Sequence, residues 1–95
     1  MKHPAVYILA SKKDGTLYIG VTSNLVQRIW QHKNRLADGF TKKYNVNTLV
    51  YFEQAETMAS AIIREKILKK IGRDEKIKLI DSANPNWKDL YEEII

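Results

Sequence analysis

Residues 5–21 read AVYILASKKDGTLYIGV, a segment in which two runs of strand-forming residues flank a turn. Both runs, Ala5–Ala10 and Thr16–Val21, are rich in β-branched and aromatic residues, which are enriched in strands. Between them, Asp14 and Gly15 tolerate the positive φ of a tight turn. The segment therefore predicts an antiparallel β-hairpin.

The residues after the hairpin predict helices and one further strand. Capping residues at positions 22–24 precede a helix from about Leu25 to Arg35, and residues 38–44 break its period and predict a basic loop. The pattern next predicts a strand over residues 48–53 and two helices, over residues 57–71 and 74–80. A last helix follows a turn at residues 84–90. The predicted order is β-β-α-β-α-α-α, an α/β (α+β) fold in which a small three-stranded antiparallel sheet is flanked by helices.

The composition limits what such a chain can be. At 95 residues and 44% hydrophobic content, residues 1–95 are expected to form a single domain with one core, which excludes a multidomain enzyme. The sequence has no cysteine, so disulfides, thiolate zinc sites and cysteine nucleophiles are excluded. The longest apolar run, Ala5–Ala10, is far shorter than the roughly 20 residues that cross a bilayer. We therefore expect a soluble, cytoplasmic protein that does not associate with membranes.

The charge balance favours a polyanionic partner. Lys and Arg number 16 against 11 Asp and Glu, which gives a formal net charge of +5 and a pI of about 9.5. Basic and aromatic side chains alternate after the first helix begins, and this combination suits phosphates and unstacked bases. The nucleic-acid-binding residues predicted in this region are Lys33, Arg35, Lys42, Lys43 and Tyr44. The basic residues between positions 64 and 78 are accompanied by acids and are more typical of a solvated helix surface.

Four residues in the first third of the chain could carry chemistry. Tyr7 and Tyr18 lie near the centres of the hairpin strands, where a matching register would bring both phenols to one face. Arg28 and His32 lie one helical turn apart, so a guanidinium that can clamp a phosphate stands beside an imidazole that can transfer a proton. The alternative is structural: tyrosines packed at the edge of a core and an exposed helix face.

Glu65 is the unusual residue of the second long helix. It interrupts an apolar stripe that includes Ala61 and Leu68, and a carboxylate among apolar neighbours is costly unless it meets a cation. A hard divalent metal such as Mg²⁺ is commonly held by one or two carboxylates while keeping several waters. The alternative is an ordinary i, i+4 salt bridge to Lys69.

These residues also carry a family resemblance. The tripeptides AVY at residues 5–7 and YIG at residues 18–20, followed by Arg28, His32 and Glu65, closely resemble the GIY-YIG nuclease superfamily in order and spacing. The resemblance extends to about residue 80, and the chain is most similar to the short, stand-alone bacterial members. It departs from the pattern at positions 5 and 6, where alanine and valine replace glycine and isoleucine.

Two further family features are matched incompletely. Excision-repair members carry a lysine just beyond the second tripeptide, where this chain has Val-Thr-Ser at residues 21–23, so no role of that lysine is transferred. The late asparagine of the family has a tentative counterpart in Asn84.

The resemblance implies hydrolysis of phosphodiester bonds in DNA through one divalent metal, Mg²⁺ or Mn²⁺, in a setting such as repair or recombination. It implies that Glu65 binds the metal, that Tyr18 activates the attacking water with support from Tyr7, that Arg28 stabilises the charge of the transition state, and that His32 assists proton transfer. Because a phenol with an ordinary pKa of about 10 is a poor base at neutral pH, Tyr18 needs Arg28 and the metal nearby.

The expected partner is DNA, with branched and single-stranded forms among the candidates, and a protein partner would supply specificity. A rival interpretation is a nucleic-acid-binding module of the same fold with weak or no catalysis. A third is a protein-interaction domain that uses apolar residues near the C-terminus, namely Leu90, Ile94 and Ile95.

Overall fold

A three-stranded antiparallel sheet forms the centre of the molecule. The computed structural model describes residues 3–37 and 39–95. Strand β1 (Ala5–Ala10) lies between β2 (Leu17–Thr22) and β3 (Thr48–Gln54) and pairs antiparallel with both. Every residue of β1 is buried, because the strand is covered on both faces and paired along both edges. The apolar character of the AVYILA run follows from this central position.

Within residues 3–37 and 39–95, the helices around the sheet are α1 (Leu25–Lys33), α2 (Gly39–Tyr44), α3 (Met58–Lys70), α4 (Arg73–Ala83) and α5 (Tyr91–Ile94). The Asn24 side chain accepts a hydrogen bond from the Gln27 amide and so caps α1, as the sequence predicts. Thr57 and Ser60 form a reciprocal capping box at the start of α3. Among the described residues, no helix combines the length and the apolar composition needed to span a membrane.

The structure confirms the predicted fold class and the order of its main elements, with one addition. The segment predicted as a basic loop contains the six-residue helix α2, and Asp38, which belongs to that segment, lies outside the described residues. Helix α1 ends at Lys33 rather than near Arg35, which adopts a positive φ of 58°. Helix α2 contacts the first elements again, because Thr41 bonds His32 of α1 and Phe40 stacks on Tyr18 of β2.

The two faces of the sheet carry separate layers of the core. On one face, Val6 and Ile8 pack with residues of α3 and α4, including Leu68 and Ile80. On the other face, Tyr7 and Leu9 pack with residues of α1, of the segment before β3 and of the C-terminal segment, namely Leu25, Ile29, Val46, Leu90, Tyr91 and Ile94. Odd-numbered residues of β1 therefore face α1, and even-numbered residues face α3 and α4.

Two expectations about exposed and buried residues are wrong. The alternative of an exposed helix face does not hold for His32, which is only 3% exposed, whereas Trp30 on the same helix is 49% exposed. The buried stripe of α1 runs through Leu25, Ile29 and His32, because a spacing of four and then three residues keeps them on one side. At the C-terminus, Leu90 and Ile94 are partly buried against the core, and Ile95 alone of the three residues named for the third interpretation is largely exposed, at 65%.

Candidate functional site

The hairpin places the two tyrosines on the same face of the sheet. Tyr7 lies opposite Gly20, and Leu9 lies opposite Tyr18, so the two phenols are diagonal neighbours with ring centroids 6.4 Å apart. Tyr7 is 1% exposed. Tyr18 is half-buried. The predicted juxtaposition is therefore present, with one phenol inside the protein and the other at its surface.

Gly20 leaves the space that Tyr7 occupies. A Cβ atom at position 20 would lie 2.4 Å from both Cζ and the hydroxyl oxygen of Tyr7. Such distances are far below the ordinary contact of about 3.5–4.0 Å between heavy atoms. The phenol therefore lies directly over the glycine backbone, and this contact directs its hydroxyl towards α1.

His32 connects Tyr7 to helix α2. The Tyr7 hydroxyl and His32 Nε2 form a hydrogen bond of 2.9 Å, and His32 Nδ1 and Thr41 Oγ1 form another of 3.0 Å. Which atom donates in each bond depends on the imidazole tautomer. His32 and Thr41 are both buried. The result is a buried hydroxyl–imidazole–hydroxyl chain along which a proton can move.

Arg28 is close to both phenols. Burial acts to lower the pKa of Arg28. Hydrogen bonds and charge interactions with Tyr7 and with Tyr18 outweigh this effect and raise the pKa above its ordinary value. One guanidinium nitrogen, Nη1, also donates to the Gln31 side-chain oxygen at 3.2 Å. Arg28 is therefore positively charged at neutral pH, and the charge lies beside the tyrosines.

Glu65 lies on the side of α3 that faces the hairpin. Its spacing from the fully buried Ala61 and Leu68 puts it on their side of the helix, and α3 packs against β2 and β1. The Glu65 side chain is 14% exposed, and its Oε2 lies 2.8 Å from Lys69 Nζ. Lys69 lines a surface groove together with Tyr18, which places Glu65 close to the edge of the sheet that carries Tyr18.

A divalent metal fits this carboxylate only in part. Among the residues that the structure describes, no three His, Cys, Asp or Glu side chains are grouped so as to hold a metal. Mg²⁺, however, is commonly bound by one or two carboxylates, several waters and the phosphate oxygens of a substrate. A single half-buried carboxylate such as Glu65 is compatible with that donor set, provided that the Lys69 ammonium moves aside or contacts the same phosphate.

Helix α2 extends the aromatic side chains outward from the site. The Phe40 ring stacks on Tyr18 with centroids 6.0 Å apart and an interplanar angle of 28°, and it contacts Tyr44 at 4.9 Å. Phe40 and Tyr44 are 41% and 48% exposed. Lys42 and Lys43 lie on the same short helix, both exposed, with Lys43 Nζ 5.4 Å from the centre of the Tyr44 ring. This arrangement agrees with the predicted combination of basic and aromatic side chains.

Two of the predicted basic residues have other contacts. Lys33 forms an ion pair with Asp89, donates to the Asn47 carbonyl at 3.1 Å and lies over the Tyr91 ring, so it joins α1 to the C-terminal segment. Its charge is neutralised within the protein, and the structure does not present it beside the tyrosines. Arg35 is exposed and donates to the Asn45 side chain at 3.1 Å.

Asn84 lies in the core rather than in the cluster around the tyrosines. It is 5% exposed, and its amide nitrogen donates to the carbonyl oxygens of Val50 and Lys88 at 3.0 and 2.9 Å. Its side-chain oxygen accepts from the Lys88 amide. These contacts hold the turn after α4 against β3, on the sheet face opposite to Tyr7. The structure thus gives Asn84 a packing role.

Thr41 and the orientation of Phe40 were missed by sequence reasoning. Both lie in the segment interpreted as a loop, where a lone threonine gives no signal of a histidine partner nine residues earlier. Position 20 was recognised only as part of a tripeptide. A pairing argument could have found its role, because the register that aligns the tyrosines necessarily puts Gly20 opposite Tyr7.

Comparison with known proteins agrees with the fold. The family model described as the GIY-YIG catalytic domain matches residues 3–78, so the chain belongs to the GIY-YIG family, whose fold is that of nucleases. Among individual proteins, the chain is 39% identical over 89 residues to the UPF0213 protein CPE1444 of Clostridium perfringens, covering 94% of this chain and 95% of that one. It is 37% identical over 78 residues to the UPF0213 protein SSP2268 of Staphylococcus saprophyticus, covering 82% and 94%.

A solved structure shows the same similarity. The solution NMR structure of the UPF0213 protein BH0048 from Bacillus halodurans matches with a TM-score of 0.56 and 27% identity, covering 94% of this chain and 93% of that chain. The chain is therefore similar to small bacterial proteins along nearly its whole length.

Proposed function

We propose that the protein is a divalent-metal-dependent endonuclease that hydrolyses phosphodiester bonds in DNA. Its membership of the GIY-YIG family supports this class of reaction. The observation that carries the proposal is the contact of Tyr7 with His32 and of Arg28 with both phenols on one face of the sheet. A setting in DNA repair or recombination, with a protein partner that supplies specificity, belongs to the same proposal.

The burial of the two phenols divides their roles. Tyr18 is half-buried and can contact the attacking water, whereas Tyr7 is fully buried and acts behind it. In the tautomer that carries its hydrogen on Nδ1, His32 donates to the Thr41 hydroxyl and its Nε2 accepts the hydrogen bond of the Tyr7 hydroxyl, so Thr41 fixes the orientation of the ring. Tyr7, His32 and Thr41 thus form a hydrogen-bonded chain behind Tyr18, which supports the position of the outer phenol.

Arg28 supplies the fixed positive charge of the site. As the scissile phosphate is attacked, negative charge builds on its oxygens, and a guanidinium can bind two of them at once. Contact with the phenols orients the guanidinium before substrate arrives, so little reorganisation is needed during the reaction. Glu65 would hold the metal, which when bound polarises the phosphate and stabilises the leaving oxygen.

The test is a cleavage assay on single-stranded, duplex and branched DNA with Mg²⁺, with Mn²⁺ and with chelator. We expect metal-dependent nicking that falls at least a hundredfold, or about 3 kcal/mol, in Arg28→Lys and Glu65→Gln. Glu56→Gln is the matched control, because it makes the same chemical change at an exposed residue before α3. Parent-like cleavage by both site variants, or no cleavage by the parent under any condition, would contradict the proposal.

A nucleic-acid-binding module that does not turn over substrate is the second candidate. The ion pair between Glu65 and Lys69 favours it, because a lysine already neutralises the proposed metal ligand. In that case the parent protein binds DNA with a steep dependence on salt but leaves it intact with either metal. The same assay therefore distinguishes the two candidates.

A further inference from the structure

A groove of about 300 Å³ lies beside the tyrosine site. Strand β2 contributes residues 17–19, helix α2 contributes Phe40, and helices α3 and α4 contribute Lys69 and Lys76. Tyr18 belongs both to this groove and to the catalytic cluster. A ligand in the groove would therefore lie directly next to a phosphate held at the tyrosines.

The aromatic side of the groove is suited to a planar ligand. Phe40 stacks on Tyr18, and both Phe40 and Tyr44 keep more than 40% of their surface exposed. Nucleic-acid bases stack on such rings irrespective of sequence, because every base has a π face. The rings continue from Tyr18 through Phe40 to Tyr44, so the stacking surface leads outward from the site.

The opposite side is positively charged. The charged residues that the structure describes along this groove are both lysines, and Lys76 Nζ lies 3.5 Å from the main-chain oxygen of Lys69. Lys69 Nζ also contacts the carboxylate of Glu65. The lysines are thus placed to bind a phosphate adjacent to the proposed metal ligand, while Phe40 is placed to bind the attached base.

We propose that this groove binds the nucleotide next to the scissile phosphate in an unstacked state, with its base on Phe40 and its phosphate at Lys69 and Lys76. Inside a duplex both faces of each base are covered by neighbouring bases, so Phe40 is accessible only to a base that has left the stack. The groove therefore selects strands with unpaired nucleotides at the cleavage position. This inference rests on the proposed function, because it takes the tyrosine cluster as the place of cleavage.

The test measures binding in chelator, so that no cleavage occurs. The probes are a fluorescent single strand of about 12 thymidines and a blunt duplex of similar length. We expect Phe40→Ala to weaken single-strand binding by about fivefold to a hundredfold and to leave duplex binding within about twofold, whereas Phe40→Tyr, which keeps the ring, binds like the parent. Trp30→Ala is the matched control, because Trp30 is 49% exposed on α1 and does not line the groove.

Three results would overturn the inference: unchanged single-strand binding by Phe40→Ala, an equal loss on duplex, or an equal loss in Trp30→Ala. If Phe40→Ala fails to fold by circular dichroism, Lys76→Ala takes its place. We expect Lys76→Ala to reduce, by about one, the slope of log affinity against log salt concentration for single-strand binding. Lys66→Ala, on the exposed surface of α3, is the comparison variant and is expected to keep a steeper slope than Lys76→Ala. Equal slopes in these two variants would contradict the inference. Because catalysis is not measured, the nuclease proposal can fail separately, in its own cleavage assay.

Discussion

Replacement of Gly20 by alanine tests whether the glycine is what positions Tyr7. The new Cβ would lie 2.4 Å from the Tyr7 hydroxyl oxygen and from Cζ, so the ring has to move by roughly 1 Å or more to reach normal contact. A shift of that size breaks the 2.9 Å hydrogen bond to His32. Gly20 does not have a positive φ, so the backbone accepts alanine and the cost arises from the contact with Tyr7.

The expected cost combines two effects. Overpacking of a buried position costs about 1–3 kcal/mol, and loss of the hydrogen bond costs about 0.5–1.5 kcal/mol, against which alanine gains about 0.4–1 kcal/mol by restricting the unfolded chain. We therefore expect the free energy of unfolding, measured by urea denaturation, to fall by about 1–4 kcal/mol. Gly72→Ala is the control, because no atom lies within 4 Å of its added Cβ. Equal unfolding free energies of the two variants would refute the reasoning.

Two further predictions concern ionisable groups outside the cluster around Tyr7 and Tyr18. Burial, and then a hydrogen bond to Glu53, raises the pKa of Tyr51 to about 12. A pKa that is higher in the folded than in the unfolded state stabilises the protein fully below the unfolded value of about 10, and this stability is lost as the pH rises through about 12. Between about pH 9 and 11.5, Tyr51→Phe should therefore lose less unfolding free energy than the parent, as measured by urea titration. An identical loss in the two proteins would contradict this. Asp89→Asn removes the charge that pairs with Lys33 and should lower the unfolding free energy by about 1 kcal/mol in low salt. The difference should shrink in high salt, because the Asp89 side chain is 37% exposed and salt screens the ion pair. A difference that does not depend on salt would show that charge is not its cause.

The part of the site that lies within one hairpin could be predicted from the sequence. The period of two in the strands, together with the Asp14-Gly15 turn, fixes which residues share a face, and this was enough to bring Tyr7 and Tyr18 together. Arg28 could be added because a helix follows the hairpin directly and a capping residue, Asn24, sets where it begins. Such predictions succeed because each depends on local geometry over a few residues.

The remaining features depend on how distant segments pack. The burial of His32 could not be read from α1 alone, because the ring is enclosed only when α2 folds back and Thr41 reaches its second nitrogen. The ion pair of Lys33 depends in the same way on Asp89, which is 56 residues later in the chain. In both cases a polar residue on a helix has the same sequence pattern whether it faces solvent or a partner, so composition and spacing cannot distinguish the two.

The position of Glu65 is explained by the topology of the sheet. Helix α3 packs on the face of Val6 and Ile8, whereas Tyr7 and Tyr18 lie on the opposite face, so a carboxylate at the middle of the sheet would be separated from the phenols by the strands. Strand β2, however, is an edge strand, and the groove shared by Tyr18, Phe40 and Lys69 shows that side chains from both layers meet around that edge. Under the proposed function, Glu65, which contacts Lys69, would therefore act with the tyrosines on a substrate that lies along the edge of β2. A single strand would suit this path better than a duplex, because the exposed Phe40 ring that lines the groove can stack only on a base that has left the duplex.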